Sequence, residues 1–189
     1  MDFPSDELKP FGIIAGLVTR KLYFAYGLYE DDRLFAYAFL CRSENGRYIL
    51  LDYFAVTGGK RGLGIGGHFL DVLKLECSDY EGMFIEVENA GYAKDEEERL
   101  IRLRRIDFYR RNGVLDTDVC CRLFGVEMNI MFMELKSAGK DITLSDGNRF
   151  NKGLTDDDSS LRNGFEAVYK SMLEDRGLMH KVIIYRDGE

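Results

Sequence analysis

The stretch with the most chemistry in it is Arg61-Gly62-Leu63-Gly64-Ile65-Gly66-Gly67. Glycines recur at every second position, and a guanidinium precedes them. Glycine lets a backbone approach a ligand closely and adopt positive φ. The first N–H groups of a helix lack intrahelical partners and carry partial positive charge. A glycine-rich turn that opens a helix is therefore an anion site suited to phosphate. Arg61 adds a cation able to grip phosphate oxygens through two parallel hydrogen bonds. An idle strand-to-helix turn is a poor alternative, because each glycine weakens a helix start by roughly 1 kcal/mol. A P-loop is excluded, since Lys60 comes before the glycines and not after them. Gly62, Gly64 and Gly67, with Glu86 and Glu88 about twenty residues on, do match a dinucleotide fingerprint. Against it, Thr57 to Arg61 separate the strand from the first glycine, where that fold uses a tight turn. No series of strand–helix–strand units follows either.

Three carboxylates stand close to this stretch in the chain. Asp52 interrupts the otherwise apolar run 49–56, which reads as a strand. A carboxylate there must be satisfied or functional. In the strand expected over 83–88, side chains alternate, so Glu86 and Glu88 share one face. Any of the three could act as a general base, and any could simply pair with an arginine. His68 lies in the helix after the glycines, and no Ser–His or Cys–His nucleophile is visible.

The elements that must position these groups follow from periodicity. A helix is expected over residues 5–20, capped by Ser5 and interrupted at Pro10 or Gly12, with Leu8, Phe11, Ile14 and Leu17 or Val18 on its apolar side. Strands are expected over 22–29, 33–42 and 47–56, joined by Glu30-Asp31-Asp32 and by the hairpin signal Asn45-Gly46. Phe69, Val72 and Leu73 mark the helix after the glycine turn. A charged helix is expected over 96–111, with Leu100, Leu103 and Ile106 inward and its arginines mostly in solvent. Residues 118–124 and 127–135 read as a hairpin around Gly125. After a polar stretch, 137–160, come a helix over about 160–174, with Gly177 as its stop signal, and a last strand over 180–185.

The run Phe54-Ala55-Val56, followed by Arg61-Gly62-Leu63-Gly64-Ile65-Gly66, resembles the acyl-CoA signature of the GNAT superfamily of N-acetyltransferases. Downstream, Phe108-Tyr109-Arg110-Arg111-Asn112-Gly113-Val114 resembles the family's tyrosine-containing helix end, with Val114 where a phenylalanine is usual. The resemblance covers about residues 10–135. It implies an α+β fold of the three-layer α/β type, with a mixed, mostly antiparallel central sheet flanked by helices. Residues 1–136 would form the acetyltransferase domain, and 137–189 a C-terminal helix–strand extension packed on it. It implies acetyl-CoA as cosubstrate and a primary amine as acceptor, with direct transfer between them. The backbone of Phe54, Ala55 and Val56 would pair with the pantetheine arm. Arg61, Gly62, Leu63, Gly64, Ile65, Gly66 and Gly67 would hold the pyrophosphate. Tyr109 would protonate the departing thiolate; the base that activates the amine stays open among Asp52, Glu88 and Glu86, acting directly or through water. Asn89 lies further before Tyr109 than the family pattern has it, so an insertion near 89–97 is implied.

Composition sets the outer limits. At 189 residues one domain with a real core is expected. A net charge of −7 disfavours nucleic acid and suits a cationic amine. No apolar run reaches the length of a membrane span, and the polar, acidic start is unlike a signal peptide, so a cytoplasmic protein is expected. Cys41, Cys77, Cys120 and Cys121 lack metal-ligand spacing, and with His68 and His180 as the sole histidines no metal is expected. The extension 137–189 could cover the acceptor site, add a strand to a sheet edge or mediate a homodimer, and the sequence leaves all three open. A non-catalytic acyl-CoA-binding module is the alternative from another class, and a dinucleotide-binding domain a weaker one.

Overall fold

The computed structural model describes residues 8–135, 158–173 and 176–188. The expected cap at Ser5 and the polar stretch 137–157 lie outside the described residues. In chain order the elements are α1 Phe11–Thr19, β1 Tyr23–Glu30, β2 Arg33–Arg42, β3 Tyr48–Val56, α2 Ile65–Glu76, β4 Gly82–Glu88, α3 Glu96–Arg111, β5 Leu115–Leu123, β6 Val126–Glu134, α4 Asp158–Leu173 and β7 Val182–Arg186. The strands form one sheet in the order β1-β2-β3-β4-β6-β5-β7. Every neighbouring pair is antiparallel except β3 and β4, which run parallel. The expected mixed, mostly antiparallel sheet is thus present, and β7 joins its edge against β5.

Alternation along the strands gives the sheet two apolar faces, and each is covered by helices. On one face Leu50 and Phe84 meet Leu17 of α1 and Phe165, Val168 and Met172 of α4. On the other, Ile49, Leu51 and Ile85 meet Phe69, Leu70 and Leu73 of α2, with Ile106 and Tyr109 of α3.

Two helices depart from expectation. α1 begins only after Pro10, which sits at its N-cap with extended ψ. Proline disfavours helical geometry in the residue before it, so α1 starts at the first of the two expected interruptions. Leu8 and Phe11 consequently stay exposed, at 46% and 82%, and only Leu17 of this helix is buried. α3 has the expected bounds but turns a different face inward. Its buried residues are Arg102, Ile106 and Tyr109, while Leu100 is 46% exposed. Burying Arg102 is tolerable because its guanidinium pairs with Glu88 at 3.1 Å and Glu98 at 2.9 Å and donates to the Asn89 carbonyl at 2.7 Å. Asp95 caps the helix by accepting from the Glu98 N–H. The implied insertion before it is a short 3₁₀ turn, Ala90–Tyr92, capped by the Asn89 side chain.

Gly164 lets α4 lie close on the sheet. A Cβ there would stand 2.7 Å from Tyr48 Cε2 and 3.3 Å from Phe84 Cζ. Alanine is better than glycine in a helix interior by about 1 kcal/mol. Overpacking a filled core typically costs more, about 1–3 kcal/mol. Gly164→Ala is therefore expected to lower the urea midpoint, contrary to its helix propensity. A raised midpoint would mean that α4 can slide away from Tyr48.

Candidate functional site

β3 and β4 pair only over Tyr48–Leu51 and Gly82–Ile85. Beyond that point β3 stays with β2 as far as Val56, and β4 stays with β6 as far as Glu88. The two central strands therefore part, and a gap opens between 52–56 and 86–88. The branch is marked by a bulge. Leu51 opposes Leu40 and Tyr53 opposes Phe39, which leaves Asp52 as the extra residue. A bulge re-aims the side chains that follow it. A cavity of about 1410 Å³ occupies this gap, with Asp52, Phe54, Glu86, Glu88, Arg61 and Tyr109 in its walls.

One end of the cavity is the glycine turn. Gly62 and Gly64 have φ of 82° and 79°, which only glycine adopts at little cost, and a Cβ on either would meet nothing within 4 Å. Gly64 is the N-cap of α2, and its carbonyl accepts from the His68 N–H. The N–H groups of Ile65, Gly66 and Gly67 fall in the first turn, where helix geometry offers no partner. Gly66 and Gly67 answer a different need. A Cβ on Gly66 would come 3.1 Å from Phe108 Cζ, and one on Gly67 would come 2.6 Å from Asn112 Oδ1. Those two glycines admit the end of α3 against the start of α2. Leu63 is 67% exposed on the outside of the turn. Lys60, Arg61 and Arg111 are among the cations that line the cavity, and Arg105 lines it too but is paired with Glu88. Arg61 is exposed, its Nε 3.4 Å from the Val56 carbonyl. An open glycine backbone at a helix start beside an arginine is suited to an anion.

The middle of the cavity holds the remaining expected residues. Phe54 packs on Phe69 at 5.6 Å and on Phe108 at 6.1 Å, Ala55 is buried, and Val56 is half-buried. Tyr109 is buried, with its ring 6.5 Å from that of Phe54. Burial pushes its hydroxyl up to about 12, against a weaker downward pull from Arg105.

The three carboxylates differ sharply in their partners. Asp52, whose side chain is 1% exposed, binds the Lys9 ammonium through Oδ1 and accepts from the Tyr23 hydroxyl through Oδ2. Burial would lower the Lys9 ammonium, but the Asp52 and Glu86 carboxylates outweigh it and hold it above its ordinary value. Glu88 is bound to Arg102 at 3.1 Å and Arg105 at 3.3 Å. Among the described residues no arginine binds Glu86. Burial raises it to about 7, with Lys9 and a hydrogen bond from Tyr169 pulling down and Asp52 pushing up. Lys9, Tyr23 and Tyr169 are site residues that the sequence reading missed. Tyr169 did carry a signal, since it follows Phe165 by one helical turn on the inward side of α4.

The four cysteines are buried thiols. Burial pushes Cys41 up to about 12 and Cys77 up to about 11, and raises Cys120 and Cys121 as well. None lines the cavity. A thiolate nucleophile is therefore disfavoured at neutral pH. Among the described residues no group of three His, Cys, Asp or Glu could hold a metal ion, and no helix is long and apolar enough to cross a membrane.

No protein-family model matches this sequence, and no curated protein matches it. Solved structures do match. One is a protein of Bacteroides thetaiotaomicron assigned to the GNAT family of acetyltransferases, with 20% identity and a TM-score of 0.54 over 70% of this chain and 73% of that one. A GNAT-assigned protein of Desulfovibrio desulfuricans has 18% identity and a TM-score of 0.50 over 66% of this chain and 77% of that one. A chimeric spermidine N-acetyltransferase derived in part from Vibrio cholerae has 8% identity and a TM-score of 0.52 over 65% and 74%. Taken with the parted central strands and the glycine turn between them, these likenesses establish that the chain has the fold of the GNAT acetyltransferases.

Proposed function

We propose that this chain is an acyl-CoA-dependent N-acyltransferase that moves an acetyl group from acetyl-CoA to a primary amine. The observation that carries this reading is the gap between β3 and β4, which ends at the glycine turn and has Glu86 and Tyr109 in one cavity. Past Leu51, β3 has sheet partners on the β2 side only, so its other edge is open to an extended pantetheine arm. Gly62, Gly64, the first turn of α2, Arg61 and Arg111 would hold the pyrophosphate. Bound acetyl-CoA supplies a thioester carbonyl, and the amine attacks it directly, since the four buried cysteines stay outside the cavity.

Two protons must move. The acceptor arrives as an ammonium and must lose a proton to attack. Glu86 is the carboxylate suited to take it, because its proton affinity lies near neutral pH and, among the described residues, neither an arginine nor a lysine binds it directly. Asp52 is committed to Lys9 and Tyr23, and Glu88 to two arginines. Those two earlier candidates become positioning groups in this reading. Tyr109 remains the donor to the departing sulfur, and the second proton of the attacking nitrogen, made acidic by C–N bond formation, restores the phenol as the C–S bond breaks.

Calorimetric titration with acetyl-CoA, with NAD as the control, tests the reading first. Thiol release in the presence of a panel of primary amines tests it second. Binding without amine-dependent release would leave a CoA-binding module, and binding of NAD alone would overturn the reading. Arg61→Ala is expected to weaken acetyl-CoA by about 1–3 kcal/mol, the range for a charge-assisted contact. An unchanged dissociation constant would remove Arg61 from the phosphate site.

A further inference from the structure

We infer that Tyr169 is a positioning residue of the transfer site, holding Glu86 by one carboxylate oxygen so that the other is presented to the cavity. The inference rests on the reading of Glu86 as the base. It brings the C-terminal segment, which lies outside the residues that carry the family resemblance, into the chemistry.

The geometry is specific. α4 is seated on the sheet by Phe165, Val168 and Met172, each at most 1% exposed. Tyr169 is 3% exposed, with its ring 5.0 Å from that of Phe165. A buried phenol needs a partner for its hydroxyl. Tyr169 finds it on the strand beneath α4, donating to Glu86 Oε1. Among the described residues, Oε2 of Glu86 makes no hydrogen bond, although Glu86 lines the cavity. Leu161, Phe165 and Val168 would seat a helix without any hydroxyl, so packing alone does not call for tyrosine at 169. The groups that bear on Glu86 come from every side: Lys9 before α1, Cys41 of β2, Asp52 of β3, Cys121 of β5 and Tyr169 of α4. Of these, Tyr169 is its direct hydrogen-bond donor. A donor to the ionised carboxylate favours the charged form, so its loss makes Glu86 a stronger base that ionises later.

The test uses the full chain as wild type, Tyr169→Phe, Glu86→Gln and the double variant. Acetyl-CoA binding is confirmed by calorimetry in each. The pH dependence of kcat/KM is then followed by thiol release with the best acceptor among spermidine, phenethylamine and lysine. In parallel, the Glu86 carboxyl carbon is titrated by NMR, its signal identified by its loss in Glu86→Gln. Tyr169→Phe is expected to move both the acid limb and the NMR midpoint upward by about one pH unit. At pH 6 that is about a tenfold loss of kcat/KM, shrinking to little above pH 9. In the Glu86→Gln background the same substitution should change nothing further. An unmoved limb, or a loss of equal size at every pH, overturns the inference and leaves Tyr169 a core residue. If wild type binds no acetyl-CoA, the functional reading itself has failed, and an unmoved NMR midpoint then removes the Tyr169–Glu86 link as well.

Discussion

Tyr109→Phe is expected to lower kcat for acetyl transfer by about 10²–10³-fold while leaving the dissociation constant of acetyl-CoA unchanged. The size is that of losing one well-aimed donor to a charge that develops during reaction. The form of the donation follows from the burial of the phenol. Its hydroxyl is pushed up to about 12. An ordinary thiol ionises near 8.5, so complete transfer from such a phenol to a thiolate is uphill by several kcal/mol. Tyr109 therefore acts first as a hydrogen-bond donor that stabilises charge on the departing sulfur, with the proton following as charge accumulates. Two consequences can be measured. The variant should be impaired equally at every pH below about 10, since Tyr109 stays protonated throughout. Its defect should shrink with an acyl donor whose thiol is more acidic, because such a leaving group needs less help. A variant with unchanged turnover would remove Tyr109 from the mechanism and leave it packing on Phe54 and Phe108.

The contrast between what was and was not legible in the sequence has a physical basis. The glycine turn was legible because positive φ at Gly62 and Gly64 forces residue type, and the requirement is local. The hairpins around Asn45-Gly46 and Gly125 were legible for the same reason. Gly66 and Gly67 were grouped with the phosphate turn, yet their demand comes from Phe108 and Asn112 on another helix, which no local pattern carries. The inward face of α3 was misread because hydropathy puts Leu100 inside and Arg102 outside. Arg102 is buried only because Glu88, Glu98 and the Asn89 carbonyl converge on it from separate segments. Asp52 illustrates the limit most clearly. Sequence alone established that a carboxylate in an apolar strand needs a reason, but the reason is Lys9 and Tyr23, both distant in the chain. The choice among Asp52, Glu86 and Glu88 is thus a tertiary fact. It turns on which carboxylates have cations beside them, and the chain order of the residues is silent on that.

Glu86→Gln should show the largest combined effect, and it separates two roles that are often confounded. Loss of the base is expected to lower kcat/KM by about 10²–10⁴-fold above pH 7. The same substitution should make the fold more stable at alkaline pH. Burial raises the Glu86 carboxyl from 4.5 to about 7, so the native state favours its neutral form. Between those values the folded chain holds a proton that the unfolded chain has released. Stability from this group is therefore complete below pH 4.5 and declines as pH rises through 7. The decline amounts to roughly 3 kcal/mol, most of it incurred by pH 7. Glutamine has no charge to desolvate and can still accept from Tyr169. The variant and the wild type should then unfold at similar urea concentrations near pH 4, with the variant the more stable by pH 8. Such a gain alongside a loss of turnover is what a strained catalytic carboxylate predicts, since the burial that costs stability is the burial that tunes the base. Equal urea midpoints at pH 8 would mean that Glu86 already ionises as an exposed carboxylate does. Its claim to be the base over Asp52 and Glu88 would then fall, because that claim depends on a proton affinity near the acceptor's working pH.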